Sequence, residues 1–246
     1  MALRHCAVQA IKGATIFDQN VADSTFAALD MTADGTLTTN EDRPWIAVYT
    51  DEGRAGGADV RSLRQNGALD FVVEFGIASA MTYIDPDTGA SVIQGVNIPA
   101  TDAAMELALD VVDAQIVAAL TADTPWADVW RDISDGVTQI DRRRTAGADN
   151  GMRLAARQMR VTLKCKPDPV RGQPLASTSV WARFRALVDG TPLAATVDTI
   201  IGTPGAAVTW QQIMASRGMT EAAISALGQN RPIYTIQRAE FVSPAN

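Results

Sequence analysis

The spacing of apolar positions changes several times along this chain, and each change marks an element. Over residues 2–12, Leu3, Ala7, Ala10 and Ile11 recur at helical spacing among Arg4, Gln9 and Lys12, and Gly13 ends the pattern. Ile16-Phe17-Asp18 predicts a short buried strand, whereas residues 21–40 are polar and carry turn signals such as Asp34-Gly35. Pro44-Trp45-Ile46-Ala47-Val48-Tyr49-Thr50 predicts a central or near-central strand over 45–50, because bulky and β-branched residues dominate it. From 69 to 83 the alternation is strict: Phe71, Val73, Phe75, Ile77, Met81 and Tyr83 share one face, with Glu74, Gly76 and Thr82 on the other. A strand this long predicts a ribbon projecting beyond the sheet or a bend near Gly76. The glycine cluster Gly53-Arg54-Ala55-Gly56-Gly57 between these strands reads as a flexible tip. Asp85-Pro86-Asp87-Thr88-Gly89 supplies turn chemistry, so residues 91–97 are expected to return as a hairpin partner.

A long helical pattern then covers 101–121, with Thr101 or Asp102 as N-cap and apolar residues over most of its circumference, from Met105 to Leu120. Its polar side is narrow: Asp102, Glu106, Asp110 and Asp113 fall on one stripe, expected to be solvated or to face a partner. Thr124-Pro125 opens a second helix carrying Trp126, Val129, Trp130 and Ile133. Strands are expected again at 137–144 and 153–166; in the second, Met159, Val161, Leu163 and Cys165 alternate with Gln158, Arg160, Thr162, Lys164 and Lys166. The turn-rich run from Lys166 to Pro174 reads as a linker dividing a domain at 1–168 from an extension at 169–246. In that extension we expect helices near 177–188, 208–217 and 220–227, an irregular stretch at 191–206 and a terminal strand at 233–242. Trp181, Phe184, Leu187, Trp210, Ile213 and Met214 are its core candidates. The extension could pack on the first domain, add a strand to its sheet or a neighbour's, or decorate an assembly. The fold class expected is therefore α+β, a mixed or antiparallel sheet packed by helices, with a long β-hairpin over residues 69–98 and a C-terminal α/β extension.

Composition narrows the chemistry. With 47% hydrophobic and 20% charged residues, the chain can bury a substantial core. No apolar run reaches the roughly 18–20 residues needed to span a bilayer, which leads us to expect a protein acting in the cytoplasm where it is made. Cys6 and Cys165 have no Cys or His at metal-ligand spacing and read as buried thiols. The single histidine, His5, cannot supply the imidazole base of a nucleophilic triad from a surface or interface position on the first helix. Neither a phosphate-binding Gly-x-x-x-x-Gly-Lys-Ser/Thr loop nor a strand-linked Gly-x-Gly-x-x-Gly occurs. We expect no enzymatic activity, no cofactor and no metal.

Charge is distributed unevenly. The chain carries a net −7, yet residues 140–171 hold nine basic residues against three acidic ones, whereas residues 1–100 hold six against thirteen. Arg142, Arg143, Arg144, Arg153, Arg157, Arg160 and Lys164 form the basic cluster. Such a dipolar subunit is expected to set its basic side against the acidic side of an identical neighbour, or against passing nucleic acid.

Taken in order, the N-terminal helix, the Phe17-Asp18 segment, the Pro-Trp-Ile-Ala-Val-Tyr-Thr strand, the long strand, the helix pair and the closing Arg160-Val161-Thr162-Leu163-Lys164-Cys165 strand resemble the tail terminator (tail completion) proteins of long-tailed bacteriophages. The resemblance covers residues 1 to about 170. It implies a structural virion protein made in the host cytoplasm and placed at the tail–neck junction. There a cyclic homo-oligomer, usually a hexamer, would cap the tail tube, end its polymerisation and present the head-joining surface. The implied partners are the tail tube protein, a head-completion or connector protein and, in the lumen, DNA; no membrane is implied. The family is usually shorter, and the segment from Tyr83 to Pro99 is longer than a plain link. Two other readings stay open: a head-completion protein or tail tube subunit, and a hydrolase using the carboxylates of the 101–121 helix or Asp51-Glu52.

Overall fold

Two adjacent strands that bury the same face organise the sheet. β4 (Trp45–Arg54) and β5 (Gly67–Ala78) pair antiparallel from Trp45↔Gly76 to Arg54↔Ala68, with a bulge between Thr50 and Gly53. Their inward residues Ile46, Val48, Phe71, Val73, Phe75 and Ile77 are buried in the main core. In this computed structural model the chain is described except for residues 25–29, 32–36, 39–42, 57–62, 79–81, 94–100, 150–151, 203–209, 212–213, 215–217 and 229–246. β1 (Val21–Asp23) pairs parallel to β4, while β9 (Met152–Cys165) and β8 (Ser134–Asp149) complete the other side. The order is β1-β4-β5-β9-β8, a mixed five-stranded sheet, and the α+β class follows.

β5 pairs with β9 without a break from Gly67↔Cys165 to Ala78↔Leu154, so the expected bend at Gly76 is not there. Gly76 serves close approach instead: a Cβ at that position would lie 2.9 Å from the Trp45 ring and 3.1 Å from the Ala156 Cβ. The short strand expected at Ile16-Phe17-Asp18 is a turn, because Gly13 and Asp18 both take positive φ and the Ile16 N–H donates to the Gln115 side chain at 2.8 Å. Phe17 is buried all the same, and the strand begins at Val21.

The long hairpin expected over residues 69–98 also resolves differently. β5 ends at Ala78, and a separate short hairpin follows, β6 (Thr82–Ile84) with β7 (Ser91–Ile93), closed by the Asp85 carboxylate accepting from Asp87 N–H and the Thr88 hydroxyl. The longest hairpin is β8–β9, registered from Ser134↔Cys165 to Asp149↔Met152. A further small pair, β2 (Asp30–Met31) with β3 (Leu37–Thr38), also forms.

Helices cover one face of the sheet. α1 (Ala2–Ile11) buries Leu3, Cys6, Ala7 and Ile11, and α2 (Asp102–Thr121) buries Met105, Leu109, Val112 and Ile116. Thr101 caps α2 by accepting from the Ala104 N–H, and Thr124 caps α3 (Pro125–Ile133) by accepting from Ala127, with Pro125 in the first turn. The extension joins this layer. α4 (Val180–Leu187), capped by Ser179, and α5 (Leu193–Ile201) place Val180, Phe184, Val197 and Ile201 in the same core. α5 occupies the stretch expected to be irregular; Leu193, Val197 and Ile201 at intervals of four form its inward line. Arg183 bonds to Asp128 and Asp132 of α3, and Lys166 also reaches Asp132, whose carboxyl these cations hold below its ordinary range. α6 (Glu221–Gly228) follows. The helix expected at 208–217 lies mostly, and the terminal strand at 233–242 wholly, outside the described residues.

Candidate interaction surface: the arginine ribbon and the acidic helix

Strand parity decides where each arginine of the β8–β9 ribbon points. Arg157 shares a face of β9 with the buried Met159, Val161 and Leu163, which is the helix side. On β8, Arg142 lies opposite Met159 and Arg144 opposite Arg157, so these two also look toward the helices. Arg143 lies opposite Gln158 and therefore looks the other way.

On the helix side the arginines meet the acidic stripe of α2. The Arg142 Nε donates to Asp113 Oδ2 at 2.8 Å, and the Arg144 Nε to Glu106 Oε1 at 2.7 Å. Arg157 forks between Glu106 Oε2 at 3.2 Å and Asp110 Oδ1 at 2.6 Å. Three cations thus neutralise three carboxylates within one subunit. The stripe expected to be solvated or turned to a partner is occupied by the chain's own ribbon. Glu106 and Arg157 are only 26% and 23% exposed, deep enough for the pairing to orient α2 on the strands. Asp102, at the start of α2, is exposed. A cavity of about 180 Å³ opens among these groups, lined by Phe75, Asp113, Arg142, Arg144, Arg157 and Met159.

The opposite face of the sheet carries a polar network. Asp70 is buried on β5 and is held by Thr162 Oγ1 at 2.7 Å and by Arg160 Nη1 at 3.1 Å, while Arg160 Nη2 reaches Asp51 at 2.7 Å. Beside it the Tyr49 hydroxyl and the Gln158 amide both donate to Glu74 Oε1 at 2.6 Å. Burial, followed by that bond to Glu74, pushes the Tyr49 hydroxyl well above its ordinary pKa. Asp70, Tyr49 and Gln158 were not singled out from sequence. Their signal was an acid in a strand otherwise built to be buried, which requires a partner.

Arg143 and Lys164 remain exposed with no ion pair among the described residues. Arg153 lies on β9 opposite Ala148; its side chain falls outside the described ones. His5 packs edge-on against Trp126 and Phe184, where burial lowers its pKa. Cys6 and Cys165 are free and buried, and burial pushes their thiols up to about 12 and about 11, which disfavours the thiolate. Among the described residues, no group of three or more His, Cys, Asp or Glu is arranged to hold a metal, and no helix is long and apolar enough to cross a membrane. No known family and no curated protein matches this chain.

Proposed function

We propose that this protein is a structural subunit of a long-tailed phage particle, a tail terminator that closes as a ring, hexameric by the resemblance, on the end of the tail tube and offers the head-joining surface. The observation that carries the reading is the order of elements: helix, strand, long antiparallel pair, helix pair and closing ribbon follow one another as the resemblance implies. The carboxylates that a hydrolase would use support it from another side. Glu106, Asp110 and Asp113 are each engaged by an arginine, and Asp51 by Arg160, so these acids serve the packing of the subunit.

The ribbon's role in this reading is narrower than its charge suggests. Arg142, Arg144, Arg157 and Arg160 hold the fold, which leaves Arg143 and Lys164 for a neighbour or for DNA in the lumen. The test is the copy number on purified tails, measured by particle mass. A single closed set of copies at one end of each tail is expected. One copy per tail, or many stacked along it, would point to a head-completion protein or a tube subunit instead.

A further inference from the structure

β8 is an edge strand, and it is the longest in the sheet. Its far side has no hydrogen-bonded strand among the described residues, although β3 comes close to part of β8, and from Asp135 to Arg144 its side chains are exposed except for a partly covered Asp141. An open edge of this length invites another strand. Val137 and Ile140, 52% and 50% exposed, add apolar surface on its helix side.

The charges on this edge restrict which strand can pair. Asp141 and Arg143 sit two residues apart on the helix-free face, and neither has an ion pair among the described residues; Asp141 accepts only from Gln139. When two copies of β8 meet antiparallel with Arg142 at the two-fold axis, Asp141 of each faces Arg143 of the other. Both charges are then matched twice. Arg142 faces its own copy but is already neutralised by Asp113 of the same chain. Sliding the register by two places, to keep the faces aligned, sets Asp141 against Asp141 or Arg143 against Arg143. We infer that the free chain forms an isologous dimer by antiparallel pairing of β8 with β8 of a second copy, in the register that opposes Asp141 to Arg143. Such a contact closes on itself and cannot propagate, so it caps the open edge of a free subunit. It does not rest on the ring reading.

The full chain should show a concentration-dependent monomer–dimer equilibrium by sedimentation, in the micromolar range expected of a small strand-edge interface. D141R and R143D should each weaken association by about tenfold or more, because each creates two facing like-charge pairs, and the swapped D141R/R143D should restore it. An independent measure is Arg142→Cys. Opposed Cα atoms in an antiparallel pair lie about 4.5–5.5 Å apart, within the span of a disulfide, so mild oxidation should link this variant to itself faster than Arg143→Cys. Native circular dichroism of each variant is checked first, and if a charge reversal unfolds, the crosslink decides. A folded wild-type chain that stays monomeric, charge reversals that leave the dimer intact, a double swap that stays apart, or crosslinking that favours Arg143→Cys each overturn the inference. Tail copy number, by contrast, bears only on the ring.

Discussion

Replacing Arg157 by Met asks whether the acidic helix and the arginine ribbon hold the subunit together. The substitution keeps most of the aliphatic stem and removes the fork to Glu106 and Asp110. The Asp110 arm contributes little, since that carboxylate is 60% exposed and solvent screens it. The Glu106 arm contributes more, as both partners are about three-quarters covered. A charged hydrogen bond in that setting is worth about 1.5–3 kcal/mol, offset in part because Arg144 still holds Glu106. The net expectation is a loss of about 1–2 kcal/mol, read as a lower urea midpoint at unchanged slope. For a chain of this size that corresponds to a drop of roughly 2–8 °C in Tm. A double-mutant cycle with Glu106→Gln should return a coupling of about 1 kcal/mol. A stability change within about 0.3 kcal/mol and a coupling near zero would refute the structural role, and would return these charges to the partner surface.

Gly76→Ala should cost about 1–3 kcal/mol, because the new methyl meets the Trp45 ring; denaturation in a Trp45→Leu background should recover most of that loss. Burial lowers the His5 pKa in the fold, so on acidification the unfolded chain binds the proton more readily than the native one. Stability should therefore fall as pH drops below about 6.5, and His5→Phe should flatten the Tm profile between about pH 5 and 7. Neither Cys6 nor Cys165 should react measurably with a thiol reagent in the native protein, whereas both should react at once in denaturant. Arg143→Ser should leave stability within about 0.5 kcal/mol of wild type, while Arg142→Ser and Arg144→Ser lower it; a loss of particle assembly in Arg143→Ser alone would assign that arginine to a contact.

Local signals were readable from the chain, and distant pairings were not. Thr101 and Thr124-Pro125 announce their helices because caps act over three or four residues, and the alternation of β5 announces a half-buried strand because parity is local. The pairing of Glu106, Asp110 and Asp113 was not readable. Their arginines lie 29 to 51 residues away, brought in by a sheet register that no short window contains. The turn at Ile16-Phe17-Asp18 was missed because two apolar residues carry no period, and the backbone there is decided by Gly13 and Asp18. α5 was hidden by its β-branched content, Thr196, Val197, Thr199, Ile200 and Ile201, which propensity counts against a helix and core burial overrides.

The pairing of β5 with β9 governs the order in which this protein can mature on the ribosome. β5 has emerged by residue 78, but the strand that covers its far edge begins only at residue 152. Until then Phe71, Val73 and Phe75 have β4 beside them and only α1, later joined by α2 and α3, to cover them. The nascent chain therefore carries an unfinished, strongly apolar sheet through roughly a third of its synthesis, the interval in which early strands meet wrong partners. Slowing translation before residue 152 should lower soluble yield, whereas slowing it after residue 166 should not.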